Sequence, residues 1–171
     1  MDATLRRDTV LEAINQSNTP ISASALAKTV GVSRQVIVGD IALLRAQGRE
    51  IIATARGYMI PRPKPNQYIG KVACCHSAKN TKKELYTITD LGATVVNVIV
   101  EHELYGEIIG QLNIRNRDDV DIFIDRVKAT EAKLLSVLKS GVHLHTIACS
   151  DKTHFEQVYR ALDAEGFLVR E

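Results

Sequence analysis

A chain of 171 residues with a net charge of +2 and three cysteines has room for one or two compact domains. Its aliphatic content suffices for packed cores, no apolar run reaches the ~20 residues of a bilayer span, and two of the three cysteines (Cys74, Cys75) are adjacent. Intrinsic disorder, a membrane span and a disulfide framework are therefore all excluded. No apolar run follows Arg6 and Arg7, so the start does not read as a signal peptide, and the expected compartment is the reduced cytoplasm.

Taken in chain order, residues 4–16 read as a helix with Val10, Leu11 and Ile14 on its apolar face. Residues 22–48 then read as two short helices joined at Gly31. Ser22 or Ser24 can cap the first and Ser33 the second, because a hydroxyl accepts the unpaired N–H groups of a helix start. Leu26 and Val30 lie four apart on the first; Ile37, Ile41 and Leu44 form an i, i+4, i+7 stripe on the second. Burying that stripe leaves Ser33, Arg34, Gln35, Val38 and Gly39 facing outward near the helix start. A helix that presents polar side chains there is the recognition helix of a helix-turn-helix that binds double-stranded DNA. Residues 50–55 and 58–60 are short apolar runs around an Arg56-Gly57 turn, a β-hairpin that reads as the wing of a winged helix. Arg56 at its tip is placed to meet a phosphate or the minor groove. Residues 1–67 carry nine Lys+Arg against five Asp+Glu, the sign that phosphate contacts need.

Pro61, Pro63 and Pro65 punctuate residues 61–67. Alternating prolines favour extended polyproline geometry, so this segment reads as a semi-stiff linker between a DNA-binding domain (1–60) and a second domain (68–171). In the second domain, strand signals cover 68–76, 94–100, 107–114 and 141–149. Helix signals cover 80–91, a stretch opened by Asp118 or Asp119, a short piece at 131–138, and a last helix with a Thr153/Glu156 capping box. The order β-α-β-β-α-β-α predicts an α+β fold, with helices on one antiparallel-leaning sheet in an α/β sandwich.

Four side chains of this half are candidates for chemistry. His143 and His145 alternate on one strand, so both imidazoles face one side, about 6.6 Å apart at the backbone. Neutral imidazoles at that separation can share a metal at ~2.0–2.1 Å per bond. His76 ends the first strand, and Glu84 sits on the next helix, able to return a carboxylate. Three nitrogens and one oxygen suit Zn, Ni, Fe or Co without choosing among them. Two hydrogen-bonded structural histidines are the bland alternative. Cys74 and Cys149 share strand faces with these histidines and form a rival ligand set, although free cysteines more commonly pack as small hydrophobes. His102 at the end of a valine-rich strand is a reserve ligand.

With these motifs in view, residues 1–60 resemble the winged helix-turn-helix that also precedes bacterial biotin protein ligases. Residues 68–171 resemble the three-histidine (3H) domain, with His76, then Glu84, then Gly141-Val142-His143-Leu144-His145. Together they resemble the niacin-responsive transcriptional repressors of NAD metabolism. The resemblance implies a homodimer that represses genes of NAD synthesis or niacin uptake, with nicotinic acid as co-repressor. It also implies one divalent metal per subunit at the positions matching His76, Glu84, His143 and His145. No segment matches a ligase's basic, glycine-rich adenylate-binding region. A metal-sensing regulator without an organic effector, or a small metalloenzyme, are the alternatives. Lys71, Lys79, Lys82, Lys83, Arg115 and Arg117 are the cations considered for the nicotinate carboxylate.

Overall fold

The computed structural model describes residues 2–62 and 64–170, for Lys139 the backbone only; Pro63 of the expected linker lies outside the described residues. The chain divides into two compact units, Met1–Pro63 and Lys64–Glu171. Pro65 and Asn66 form a turn, with Asn66 in the left-handed region at φ 67°, so the end of the 61–67 segment is bent where alternating prolines predicted an extended run.

In the first unit, α1 (Ala3–Gln16), α2 (Ala23–Val30) and α3 (Arg34–Ala46) start where short polar side chains cap them. Asp2 accepts from the Thr4 and Leu5 amides, Ser22 from Ala25 N at 3.1 Å, and Ser33 from Val36 N at 3.3 Å. Gly31, at φ 70°, ends α2 in the left-handed conformation that costs a side-chain-bearing residue about 1 kcal/mol or more. Val10 and Ile14 of α1, Leu26 and Val30 of α2, and Ile37, Ile41 and Leu44 of α3 close one core with Ile51. The core holds one anchored charge at its border. Asp40 of α3, buried, takes a two-pronged hydrogen bond from Arg6 of α1 (2.7 and 3.0 Å). That contact fixes the rotation of α3 about its axis. The wing, β1 (Ile52–Thr54) and β2 (Gly57–Met59), gains a third edge because Ile21 pairs with Tyr58 through two backbone hydrogen bonds of 2.9 and 2.8 Å.

The second unit is one antiparallel sheet, ordered β3-β6-β4-β5: β3 (Tyr68–Cys75), β4 (Thr94–His102), β5 (Gly106–Ile114) and β6 (Val142–Cys149). Its helices are α4 (Thr81–Asp90), α5 (Arg117–Thr130) and α6 (Lys152–Ala164), with short 3₁₀ turns at Ala78–Asn80 and Leu135–Lys139. The fold is α+β in the expected order. One row of the sheet runs Val72, His145, Val98, and the next opposes Cys74 to His143. All three helices lie over that face. Glu84 of α4 meets His143, Phe155 of α6 stands over Gly70, and Phe123 of α5 faces a cavity shared with Val98. Two helix starts differ from expectation. Asn116 caps α5, not Asp118 or Asp119, and Asp151 caps α6, accepting from His154 N at 2.8 Å, so the Thr153/Glu156 box is not the cap. Asn and Asp serve as N-caps at least as well as Thr, so neighbouring candidates compete and tertiary geometry decides. In the 131–138 piece only a 3₁₀ turn from Leu135 forms. Among the described residues no helix is long and apolar enough to cross a membrane.

Candidate functional site

The outward end of α3 is the first candidate. Arg34 and Gln35 lie exposed on its first turn, while the exposed Ser33 caps the helix by accepting from Val36 N, which leaves its O–H to donate. A Cβ built on Gly39 would meet nothing within 4 Å. No neighbour in the chain requires glycine there, so the bare backbone is available for close approach from outside. Arg56 sits half-buried in the wing turn.

The second candidate forms where β3, β6 and α4 meet. His76 immediately follows β3, His143 and His145 stand on β6, and Glu84 descends from the first turn of α4. Sequence separations of up to 69 positions collapse onto one carboxylate that is 1% exposed. Glu84 Oε1 lies 3.0 Å from His143 Nε2; Oε2 lies 2.7 Å from His76 Nε2 and 3.4 Å from His145 Nε2. The imidazoles are nearly perpendicular to one another, with His76–His143 and His143–His145 centroids each 4.9 Å apart.

The other ring nitrogens settle the protonation pattern. Nδ1 of His76 lies 2.8 Å from the Ser77 carbonyl, Nδ1 of His143 2.8 Å from that of Gly141, and Nδ1 of His145 2.9 Å from that of Asn97. A carbonyl only accepts, so every Nδ1 carries its proton and donates, and a neutral ring turns an Nε2 lone pair inward. Asn97 presents its carbonyl at a bulge in β4, between Val95 and Asn97, a device that re-aims backbone groups beside sites. Three inward lone pairs around an anion repel unless protons or a cation lie among them. Burial alone opposes charging His76, but the close Glu84 carboxylate outweighs that and raises the imidazole pKa. Burial likewise opposes ionising Glu84; the electrostatic influence of His145 and the close approach of the three imidazoles override it and hold the carboxyl well below its usual range.

By donor chemistry this set suits a divalent transition metal, and one shared ion would require the imidazoles to draw in, because among the described residues only Glu84, His143 and Cys74 have donor atoms all within 4.8 Å of one another. His76 Nε2 is buried without a hydrogen-bond partner, although Glu84 is close. Bonds of ~2.1 Å give neighbouring donors a spacing of about 3.0 Å in an octahedron and about 3.4 Å in a tetrahedron, which brackets two of the three N···O distances. Each imidazole is already oriented through its far nitrogen, as metal-binding histidines are.

Gly141 ties two of these histidines. Its carbonyl accepts from His143 Nδ1 and, at 3.4 Å, from His76 N, and its φ is +90°. A Cβ there would fall 2.4 Å from the His76 carbonyl oxygen. Gly141→Ala is expected to cost about 2–4 kcal/mol through the left-handed strain and the backbone clash, read as a lowered denaturant midpoint at unchanged slope. A stability within about 0.5 kcal/mol of the parent would mean that this junction is not rigid.

The remaining candidates are placed elsewhere. His102 accepts the Leu104 and Tyr105 amides at 3.1 and 3.3 Å, closing the β4–β5 turn, so it is not a reserve ligand. Cys149 is buried on the same sheet face but six residues along β6 from His143, and Cys75 is exposed on the other face. Cys74, by contrast, stands directly opposite His143 and is fully buried; burial, then the nearby Glu84 charge, raises its thiol pKa far above the ordinary value. Strand parity put Cys74 on the correct face, but only the pairing register puts it beside His143.

A cavity of about 220 Å³ opens on the His143, His145 and Glu84 side. Val98, Leu112 and Phe123 give it apolar walls, and Lys133 lines it as well. Thr81 Oγ1 is buried with no hydrogen-bond partner and belongs to the same wall. None of the six cations considered from sequence lines this space. Lys82, Lys83, Arg115 and Arg117 are instead paired with Asp121, Glu165, Asp119 and Asp90 at 3.1, 2.5, 3.3 and 2.6 Å.

Comparison with known proteins matches residues 69–171 to the 3H domain and residues 6–59 to a helix-turn-helix (HTH) domain. The chain is 38% identical over 169 residues to "Transcription repressor NadR" of Bacillus subtilis (strain 168), covering 97% of this chain and 94% of that one. It is also 38% identical over 166 residues to "Probable transcription repressor NiaR" of Thermotoga maritima, again covering 97% and 94%.

Proposed function

Because the chain belongs to the family of helix-turn-helix transcription repressors that carry a 3H domain, we propose that it represses genes of NAD synthesis or niacin uptake, with nicotinic acid as co-repressor sensed at a metal centre. It is a DNA-binding repressor and not an enzyme, so the small-metalloenzyme reading falls away. In this reading it works in the cytoplasm as a homodimer. Ser33, Arg34, Gln35 and Arg56 meet operator DNA, and His76, Glu84, His143 and His145 hold one divalent ion.

One observation carries the sensing half of the proposal: Glu84, His143 and His145 line a largely apolar cavity, and His76 meets the same carboxylate from behind them. Apolar walls with a few polar groups are how small-molecule sites fix a ligand's orientation. A divalent ion held by His76, Glu84, His143 and His145 would supply Lewis acidity for one polar group of a flat ligand. The chain's own residues do the rest. Val98, Leu112 and Phe123 enclose the ring and exclude water, the Thr81 hydroxyl offers an unused hydrogen bond, and Lys133 answers the carboxylate. Binding then shifts the protein toward the dimer geometry that fits two half-sites, which requires that the ligand prefer that geometry.

Calorimetric titration of nicotinate into metal-loaded and chelated protein tests this. Heat of binding is expected in the loaded form alone. Lys133→Met is expected to weaken it about tenfold, the equivalent of ~1.4 kcal/mol, with metal content unchanged. No heat in the loaded form would favour the alternative of a regulator that senses the metal itself.

A further inference from the structure

We propose that Cys74 is a further ligand of the same centre, so that its donor set contains sulfur as well as nitrogen and oxygen. The inference rests on reading the centre as a metal site. Cys74 Sγ, a Glu84 carboxylate oxygen and a ring nitrogen of His143 all lie within 4.8 Å of one another; among the described residues no other His, Cys, Asp or Glu triple meets that criterion. The register explains the approach. Cys74 opposes His143 across β3 and β6, and directly paired residues hold their Cβ atoms about 4.5–5.5 Å apart on one face. Cys75, one residue on, faces the other way and is exposed.

A second observation points into the same space. The His76 side chain is 3% exposed, and its Nε2 has no hydrogen-bond partner while lying 2.7 Å from Glu84 Oε2. Its ring stands edge-on to His143. Neither His76 nor Cys74 lines the cavity, whereas His143, His145 and Glu84 do. The centre thus has an open side toward the cavity and a closed side toward the sheet, and Cys74 belongs to the closed side. Coordination there exchanges the S–H bond for a metal–sulfur bond and releases the proton to solvent, with no change of oxidation state. A thiolate donor biases the site toward Zn, Co or Ni and against Mg or Mn, which prefer oxygen.

Cobalt(II) titration of the full-length, metal-free, reduced protein is the test. A near-ultraviolet thiolate-to-cobalt charge-transfer band that saturates at one equivalent is expected, beside the weaker visible bands. Cys74→Ser is expected to lose the charge-transfer band, keep visible bands, and bind cobalt at least tenfold more weakly. Visible bands without charge transfer in the parent protein would overturn the inference and leave the metal centre standing. A charge-transfer band that persists in Cys74→Ser would assign the sulfur to another cysteine and overturn it as well. Failure of the parent to bind cobalt would overturn both this inference and the metal reading. The parent spectrum decides the matter even where the variant fails to fold.

Discussion

Glu84→Gln is expected to abolish stoichiometric metal binding and lower affinity at least about 100-fold, beyond the 10–100-fold typical of losing a mere supporting partner. All three imidazoles lie within 3.4 Å of this one side chain. Glutamine keeps its volume but replaces one acceptor oxygen with an amide that donates toward the Nε2 atoms. Such a site loses its only negative charge and one donor oxygen, so its attraction for a cation falls sharply. The fold has little reason to suffer, since the neutral amide can satisfy an imidazole lone pair and removes a buried charge. Thermal melts separate the two effects. Metal at 100 times its dissociation constant should stabilise the parent by about 2.7 kcal/mol and leave the variant unmoved. Retention of one metal per chain by Glu84→Gln, or by the double variant His143→Ala, His145→Ala, would make the cluster a structural hydrogen-bond network.

Operator binding should depend on two exposed side chains at the start of α3. Arg34→Ala and Gln35→Ala are each expected to cost about 1–3 kcal/mol in discrimination, because arginine pairs with guanine and glutamine with adenine through two hydrogen bonds. Neither side chain is part of the unit's core, so the melting temperature should not change. Gel-shift titration against the paired operator and against a single half-site supplies the readout. Unchanged affinity and unchanged sequence preference would remove the residue from the reading set. Equal binding of paired and single sites by the full chain would remove the dimer from the proposal. Ser33 is a different case. Its hydroxyl holds Val36 N, so Ser33→Ala would act mainly through about 1 kcal/mol of helix stability.

Periodicity over a few residues is local, and what it governs was legible in the chain. The Ile37, Ile41 and Leu44 stripe needs only the helical repeat to announce which side of α3 is buried and which side reads outward. His143 and His145 need only strand alternation to share a face. Ser22, Ser33 and Gly31 marked the ends of their helices because a cap or a left-handed turn is satisfied within three or four residues. What depends on partners far along the chain was not legible. Ile21 joins the wing only because Tyr58 comes to lie beside it, and Asp40 is buried only because Arg6 arrives from another helix. Nothing in the sequence says that β6 lies between β3 and β4, yet that order brings Cys74 and His76 to His143 and turns the Asn97 carbonyl toward His145. It also leaves Lys133 as the cavity's lysine, while four of the six cations considered from sequence are held by acidic neighbours elsewhere. The sequence alone determined the elements, their order and the residue types of the site. The tertiary structure decided which donors meet, because strand register and helix docking are set by burial of the whole face, a sum over distant contacts that no short window contains.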